Sequence, residues 1–459
     1  MSLHMHEYDE QLTSLVFDHL RNRLRRNPVE LDCPAPGENV ASQLEGILCP
    51  GGNDPEYVLK LYNRELMRTV VSADSPRYLS FIPCAPTKAA QLGEMLVSAD
   101  SLQGIFWMEA AGAIVAENQV LRLIADQAKL PETAGGCFVT GGSAANLSAL
   151  VVARDTARRR LGLPVSARFR VAVSEETHSS VTNSLNIICA EKLVVPTDDH
   201  RLTGEALRAA LEADNDPAPV IAVVGTAGTT NAGLIDDLSG IARVAKANDM
   251  WFHVDGAYGG AGLFAPTVRQ RFAGIECVDS FVVDPHKWLF APFDCAALIY
   301  RNPQLAKSVH TQAGPYLDLV QAAENSPEWN PPDYAYHLTR SACGLPLWFS
   351  LAVHGIDAYR EAIESGIALA KAAADLIRDE YKYLEVIREP ELSCLIYRRP
   401  GWTATEYRRW SRRLLADQVG FVVPTSWEGE VVTRLAFLHP GTTLEMIREI
   451  LDSMREAPA

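Results

Sequence analysis

The sequence predicts an α/β protein: a mostly parallel sheet with helices on both faces, followed by a small C-terminal α+β domain. Three observations carry that expectation. Between Gly136 and Tyr300, short β-branched or aromatic runs alternate with helical patterns, as crossover connections of a parallel sheet require. The chemically suggestive residues of this region fall just past the C-terminal ends of those runs, where open α/β sheets collect ligands. After Arg340 the pattern restarts as two strand-like runs flanking a helix.

In chain order, residues 1–77 begin with an amphipathic helix on Leu12, Leu15, Val16 and Leu20. A basic run at 21–26, read as a solvated helix end rather than an anion site, leads into a proline-rich loop. The segment has too little apolar surface for its own core and is expected to pack on a partner subunit. Residues 78–340 form the large domain. It opens with the apolar run Tyr78-Leu-Ser-Phe-Ile-Pro83 and helical patterns at 87–99 and 114–129. Strands follow at 137–139, 168–173, 220–224, 250–254, 281–283 and 296–300, with helices such as 205–211 and 239–247 between them. The stretch 316–338, long, polar and rich in proline, is expected to be a mobile functional loop. Residues 341–459 form the small domain. Its helices are expected at 346–354, 358–381, 404–418 and 443–454, and its strands at 392–397 and 431–437.

Bulk properties exclude several classes. The 459 residues carry a net charge of −15, which disfavours nucleic acid and anionic membrane surfaces. No run of 18 apolar residues occurs, and the first residues lack the apolar core of a signal peptide. Nine cysteines lie singly from Cys33 to Cys394 without a Cys-x-x-Cys pair, fitting reduced thiols in a cytoplasmic protein.

The chain is organised around Ser280-Phe-Val-Val-Asp-Pro-His-Lys-Trp-Leu-Phe290. A lysine just past a buried strand is ordinarily a snorkelling charge. Desolvation, however, lowers a lysine pKa, and a neutral amine attacks carbonyls. Upstream, Phe252-His-Val-Asp-Gly-Ala-Tyr-Gly-Gly260 is a second strand ending in a carboxylate, Asp255, 32 residues before Lys287. A lysine and an aspartate at neighbouring strand ends are the two groups that pyridoxal 5'-phosphate requires. Together, His253-Val-Asp255 and Asp284-Pro-His-Lys-Trp288 resemble the group II pyridoxal-phosphate-dependent amino acid decarboxylases of fold type I. That family includes the aromatic amino acid, glutamate and histidine decarboxylases.

The resemblance implies a decarboxylase acting through a Lys287 Schiff base, assembled as a homodimer. It implies that Asp255 pairs with the pyridine nitrogen, that Ala257 packs on the ring and that His286 lies beside the phosphate. It assigns His178 to ring stacking and the substrate carboxylate, Thr226 to a cofactor contact, and the regions of Phe81, Phe106 and Trp107 to the substrate side chain. Gly141-Gly142-Ser143 joins a strand to a helix start, where free N–H groups suit a phosphate or simply cap the helix. It is neither a P-loop nor an esterase elbow. A metal site at His253-x-Asp255 is disfavoured, because no third ligand has suitable spacing. The family's loop tyrosine, which protonates carbon, matches Tyr334 or, with a shifted register, Tyr336. Relatives with phenylalanine there form aldehydes instead. Ala144 and Pro346 depart from the family's usual acidic residue and lysine. The aromatic positions favour an aromatic or apolar substrate side chain; a carbon–carbon lyase, an aldehyde-forming oxidase and a non-enzymatic binding protein are the alternatives.

Overall fold

The computed structural model describes residues 5–34, 36–82, 85–315, 317 and 328–456. Pro83 and part of the expected mobile loop, Tyr316 and 318–327, lie outside the described residues. A seven-stranded sheet forms the centre: β1 (Gly135–Val139), β2 (Arg170–Ser174), β3 (Glu191–Val195), β4 (Val220–Thr226), β5 (Trp251–Asp255), β6 (Ser280–Val283) and β7 (Ala296–Tyr300), in the order β1-β7-β6-β5-β4-β2-β3. Five neighbouring strands, β6-β5-β4-β2-β3, run parallel, and β7 runs antiparallel to both its neighbours. The expected mostly parallel sheet is therefore present with one reversed strand. Every residue of β2, β5, β6 and β7 is buried, as continuous apolar runs between two helical layers require.

Strand β3 was not expected. Its first residues, Glu191 and Lys192, face solvent at the sheet edge, so its composition hides its pairing with β2. A second, antiparallel sheet of β8 (Glu385–Arg388), β9 (Cys394–Arg398), β10 (Thr425–Trp427) and β11 (Glu430–Ala436) packs with the helices Ala404–Ala416 and Leu444–Asp452. The long helix Leu345–Glu380 links the two sheets and breaks at Gly355, whose φ of 79° suits a residue without Cβ. That break explains why two separate helical patterns were legible there.

The first helix, Glu10–Arg25, is capped by Asp9, which accepts a hydrogen bond from Leu12 N at 2.9 Å. None of its residues is buried within the chain. Of the basic run, Arg23 pairs with Asp74 at 2.8 Å and Arg21 with Asp18 at 2.5 Å. Among the described residues no helix is long and apolar enough to cross a membrane.

Candidate active site

The site forms where β1, β2, β4, β5 and β6 end. Strand β6 delivers Asp284, and Asp284 with Pro285 starts the short helix Pro285–Trp288, whose third residue is Lys287. Lys287 Nζ lies 3.0 Å from Asp284 Oδ2. Burial alone pushes the Lys287 ammonium down. The carboxylates of Asp284 and Asp255 outweigh that effect, so its pKa is raised rather than lowered. This corrects the expectation from desolvation: Asp284 stands three residues before Lys287 in the sequence, but its burial and its contact with the amine were not legible there. His286 Nε2 is 3.5 Å from the same carboxylate oxygen, and its Nδ1 accepts from Cys295 N at 2.9 Å. Burial pushes the His286 imidazole down.

At the end of β5, Asp255 is buried, and its carboxylate accepts from Asn146 Nδ2 at 2.9 Å and from Ala257 N at 3.1 Å. Asn146 is the fifth residue of the helix Gly142–Leu161, which follows β1. Its amide also donates to Ser180 Oγ at 3.1 Å, and that hydroxyl lies 2.8 Å from His178 Nδ1. Asn146, Ser180 and Asp284 are among the polar residues that sequence reasoning did not assign. Asn146 stands three residues beyond Gly141-Gly142-Ser143, and an amide seven residues past the end of β1 was the available signal.

These groups share a cleft of about 400 Å³. Phe81, Ile82, Gly142, Ser143, His178, Thr226, Asp255, Ala257, His286 and Lys287 all line it, so ten of the neighbouring positions flagged in the sequence converge on one space. The cleft fits pyridoxal phosphate by its own chemistry. A helix N-terminus offers first-turn N–H groups at Gly142 and Ser143 for an anion. A Cβ at Gly142 would stand 2.9 Å from Asp284 Oδ2 and 3.2 Å from Ala257 Cβ, so the backbone is held close against the cleft floor. Thr226 Oγ1 and Asp284 Oδ1 are buried with no protein partner, ready for an occupant's polar atoms. Among the described residues no cluster of metal-ligating side chains occurs.

Other candidates are not gathered there. Phe106 and Trp107 begin the helix Trp107–Gln127 and do not line the cleft within one chain. Trp107 N donates to Asn330 Oδ1, at 2.8 Å, and its ring borders a separate surface hollow with Trp329. Tyr334 is also elsewhere. Pro331 and Pro332 start a single 3-10 turn that drives its ring into the core. There it stacks on Trp329 at 4.1 Å, and its carbonyl accepts from Tyr300 OH at 3.1 Å. Burial pushes the Tyr334 phenol up. Tyr336 is about half exposed and does not line the cleft either. Arg340 is held by Glu117, and Arg77 by Glu449 and the Val419 carbonyl. Pro346 occupies the first turn of its helix, where proline is well tolerated, and Ala144 the first turn of helix Gly142–Leu161.

Comparison with known proteins agrees with this geometry. The signature of the pyridoxal-dependent decarboxylase conserved domain matches residues 42–399. The chain is 29% identical to an aromatic-L-amino-acid decarboxylase of Bacillus atrophaeus, covering 97% of this chain and 94% of that one. It is 28% identical to a phenylacetaldehyde synthase of Arabidopsis thaliana over 87% of this chain and 85% of that one. The structure of Oryza sativa TDC with pyridoxal phosphate and tryptamine superposes with a TM-score of 0.89 at 24% identity, covering 99% of this chain and all of that one. With fold, cleft and signature in agreement, the chain belongs to the pyridoxal-dependent decarboxylases, a family of carboxy-lyases of fold type I that act on amino acids with pyridoxal phosphate as cofactor.

Proposed function

We infer that this enzyme removes the α-carboxylate of an L-amino acid with an aromatic or apolar side chain, releasing CO₂ and the amine. The observation that carries the reading is a cleft in which Lys287 and Asp255 meet with Phe81 and Ile82 but no arginine among the described residues. Arg77 and Arg340, the two candidates for an acidic side chain, are committed to Glu449 and Glu117.

When bound, pyridoxal phosphate supplies an aldehyde for amine exchange and a protonated ring that withdraws the electrons of the breaking Cα–carboxylate bond. Asp255 keeps a proton at the ring nitrogen through a charge-assisted hydrogen bond. Gly142, Ser143 and His286 receive the phosphate, Thr226 uses its unpartnered hydroxyl, and Ala257 leaves room for the ring. Lys287 holds the cofactor between turnovers, and Asp284 keeps its amine charged until exchange requires otherwise. His178 orients the substrate carboxylate. The domain limits of 1–77, 78–340 and 341–459 belong to the same proposal. So does a homodimer in which the uncovered first helix packs on the partner and Phe106 and Trp107 complete the substrate pocket across the interface.

One observation favours a second reading, aldehyde formation: neither Tyr334 nor Tyr336 lines the cleft, so neither is positioned within one chain to return a proton to carbon. In that chemistry O₂ and water are consumed, and the aldehyde, CO₂, ammonia and hydrogen peroxide are released. Incubation with the twenty amino acids, dihydroxyphenylalanine and cysteine sulfinate, scoring CO₂, amine and peroxide, tests both. CO₂ with equimolar amine and no peroxide from an aromatic substrate is the expected result. CO₂ only from glutamate or a sulfinate overturns the side-chain assignment.

A further inference from the structure

A chain of buried hydrogen bonds runs beneath the cleft. Trp251 Nε1 donates to Ser280 Oγ at 2.8 Å, and Ser280 Oγ lies 2.8 Å from His253 Nδ1. His253 Nε2 lies 2.8 Å from Asn146 Oδ1. The Asn146 amide nitrogen donates to Asp255 and to Ser180, and Ser180 Oγ meets His178 Nδ1. Trp251, His253, Ser280, Asn146, Asp255 and Ser180 are all buried.

The two ends of this chain allow only one direction. An indole N–H only donates and an ionised carboxylate only accepts. Asp255 therefore takes the amide nitrogen of Asn146, which turns Oδ1 toward His253 and calls for a proton on His253 Nε2. Burial holds the His253 imidazole neutral by pushing it well below the ordinary histidine value. Its Nδ1 is then bare and accepts the Ser280 hydroxyl proton, the other side of that oxygen being filled by Trp251. On the second branch, the remaining Asn146 N–H fills Ser180 Oγ, so the Ser180 proton turns to His178 Nδ1. The Ser180 backbone N–H also donates to His178 Nδ1, at 3.2 Å, and needs the same bare nitrogen.

We propose that Asn146 is a positioning residue that orients the Asp255 carboxylate and, through Ser180, fixes His178 as the tautomer protonated on Nε2. His178 then serves the cleft as a hydrogen-bond donor to the substrate carboxylate rather than as a base. This rests on the roles of Asp255 and His178 in the decarboxylase reading, but its readout does not.

The test uses cofactor-loaded, full-length protein labelled with ¹⁵N-histidine, in which two-bond proton–nitrogen correlations report the protonated ring nitrogen. His178 and His253 are assigned with His178→Gln and His253→Gln. Both histidines are expected to be protonated on Nε2 with Nδ1 bare. Asn146→Ala is expected to turn His178 into a mixture of tautomers. It is expected to lower kcat for CO₂ release about tenfold to a hundredfold, the effect of losing a buried hydrogen bond to a charge, with KM little changed. Ser180→Ala, which spares the Asn146–Asp255 bond, is expected to move the His178 signals and leave those of His253 in place. It also carries the test if Asn146→Ala does not fold. A wild-type His178 protonated on Nδ1, or Asn146→Ala with unchanged ring patterns and unchanged kcat, overturns the proposal. If no amino acid yields CO₂, the decarboxylation reading fails while the ring-nitrogen pattern still decides this one.

Discussion

Glu117→Gln is the most informative stability variant, because it removes one charge from a buried pair and changes almost nothing else. Arg340 and Glu117 have side chains 3% exposed, joined by two N–H···O bonds of 2.8 and 2.6 Å. Glu117 Oε1 also accepts from Gly344 N at 2.8 Å, and Arg340 donates to the Gly104 carbonyl at 2.6 Å. The substitution keeps an oxygen for Gly344 but leaves a guanidinium buried without its counter-charge. Breaking a buried pair from one side destabilises by about 3–5 kcal/mol. With an unfolding entropy of about 2.1 cal/mol/K per residue, a cooperative unit of this size would lose roughly 3–5 °C in Tm. The double variant Glu117→Gln/Arg340→Met removes both charges and should recover most of the loss, as apolar replacements of buried pairs do. Differential scanning calorimetry and urea titration of wild type, both single variants and the double variant give the coupling directly. A Glu117→Gln loss under about 0.5 kcal/mol, or a double variant as unstable as the sum of its parts, would refute the reasoning.

Borohydride treatment of the cofactor-loaded protein should attach the cofactor to the peptide carrying Lys287, read by mass spectrometry, and Lys287→Ala should lose both the tag and CO₂ release. Gly142→Ala should weaken cofactor binding about tenfold in a spectroscopic titration, since its Cβ would press on Asp284 and Ala257 at a cost of about 1–3 kcal/mol. His200 lies 2.8 Å from Glu176 and 3.0 Å from Glu428. Burial pushes its imidazole down, but the two carboxylates more than reverse this, so its folded pKa is raised. The stabilisation is thus complete below its unfolded pKa of about 6.5 and fades as pH rises through the higher folded value. His200→Gln should therefore cost about 0.5–1 kcal/mol at pH 6 in urea titration, with the difference from wild type shrinking by pH 9.

What was legible in the sequence was whatever the chain writes locally. Buried strands such as Ser280–Val283 declare themselves by β-branched runs, Asp255 by closing one such strand and Lys287 by standing four residues past another. Pairings made across the sheet were not legible. Asn146 meets Asp255 over 109 residues and Ser180 over 34, so no spacing reveals them. Tyr334 lies away from the cleft within one chain for a related reason: its distance from Arg340 matches a loop position, but burial against Trp329 and Tyr300 decides where it stands. Phe106 and Trp107 carried the right residue type without any local signal of which surface they face.

The reversed strand β7 has a consequence for how the enzyme matures. Val139 at the end of β1 and Val283 at the end of β6 pair with Ala296 and Ala297, adjacent residues of that one strand. Until β7 threads between them, the strands that lead into the glycine turn and the lysine, well over a hundred residues apart in the chain, are not hydrogen-bonded into one sheet. Such a long-range insertion is slow relative to helix formation. On refolding, helical signal should therefore return first, and the yellow colour of captured vitamin only after the centre of the sheet has closed.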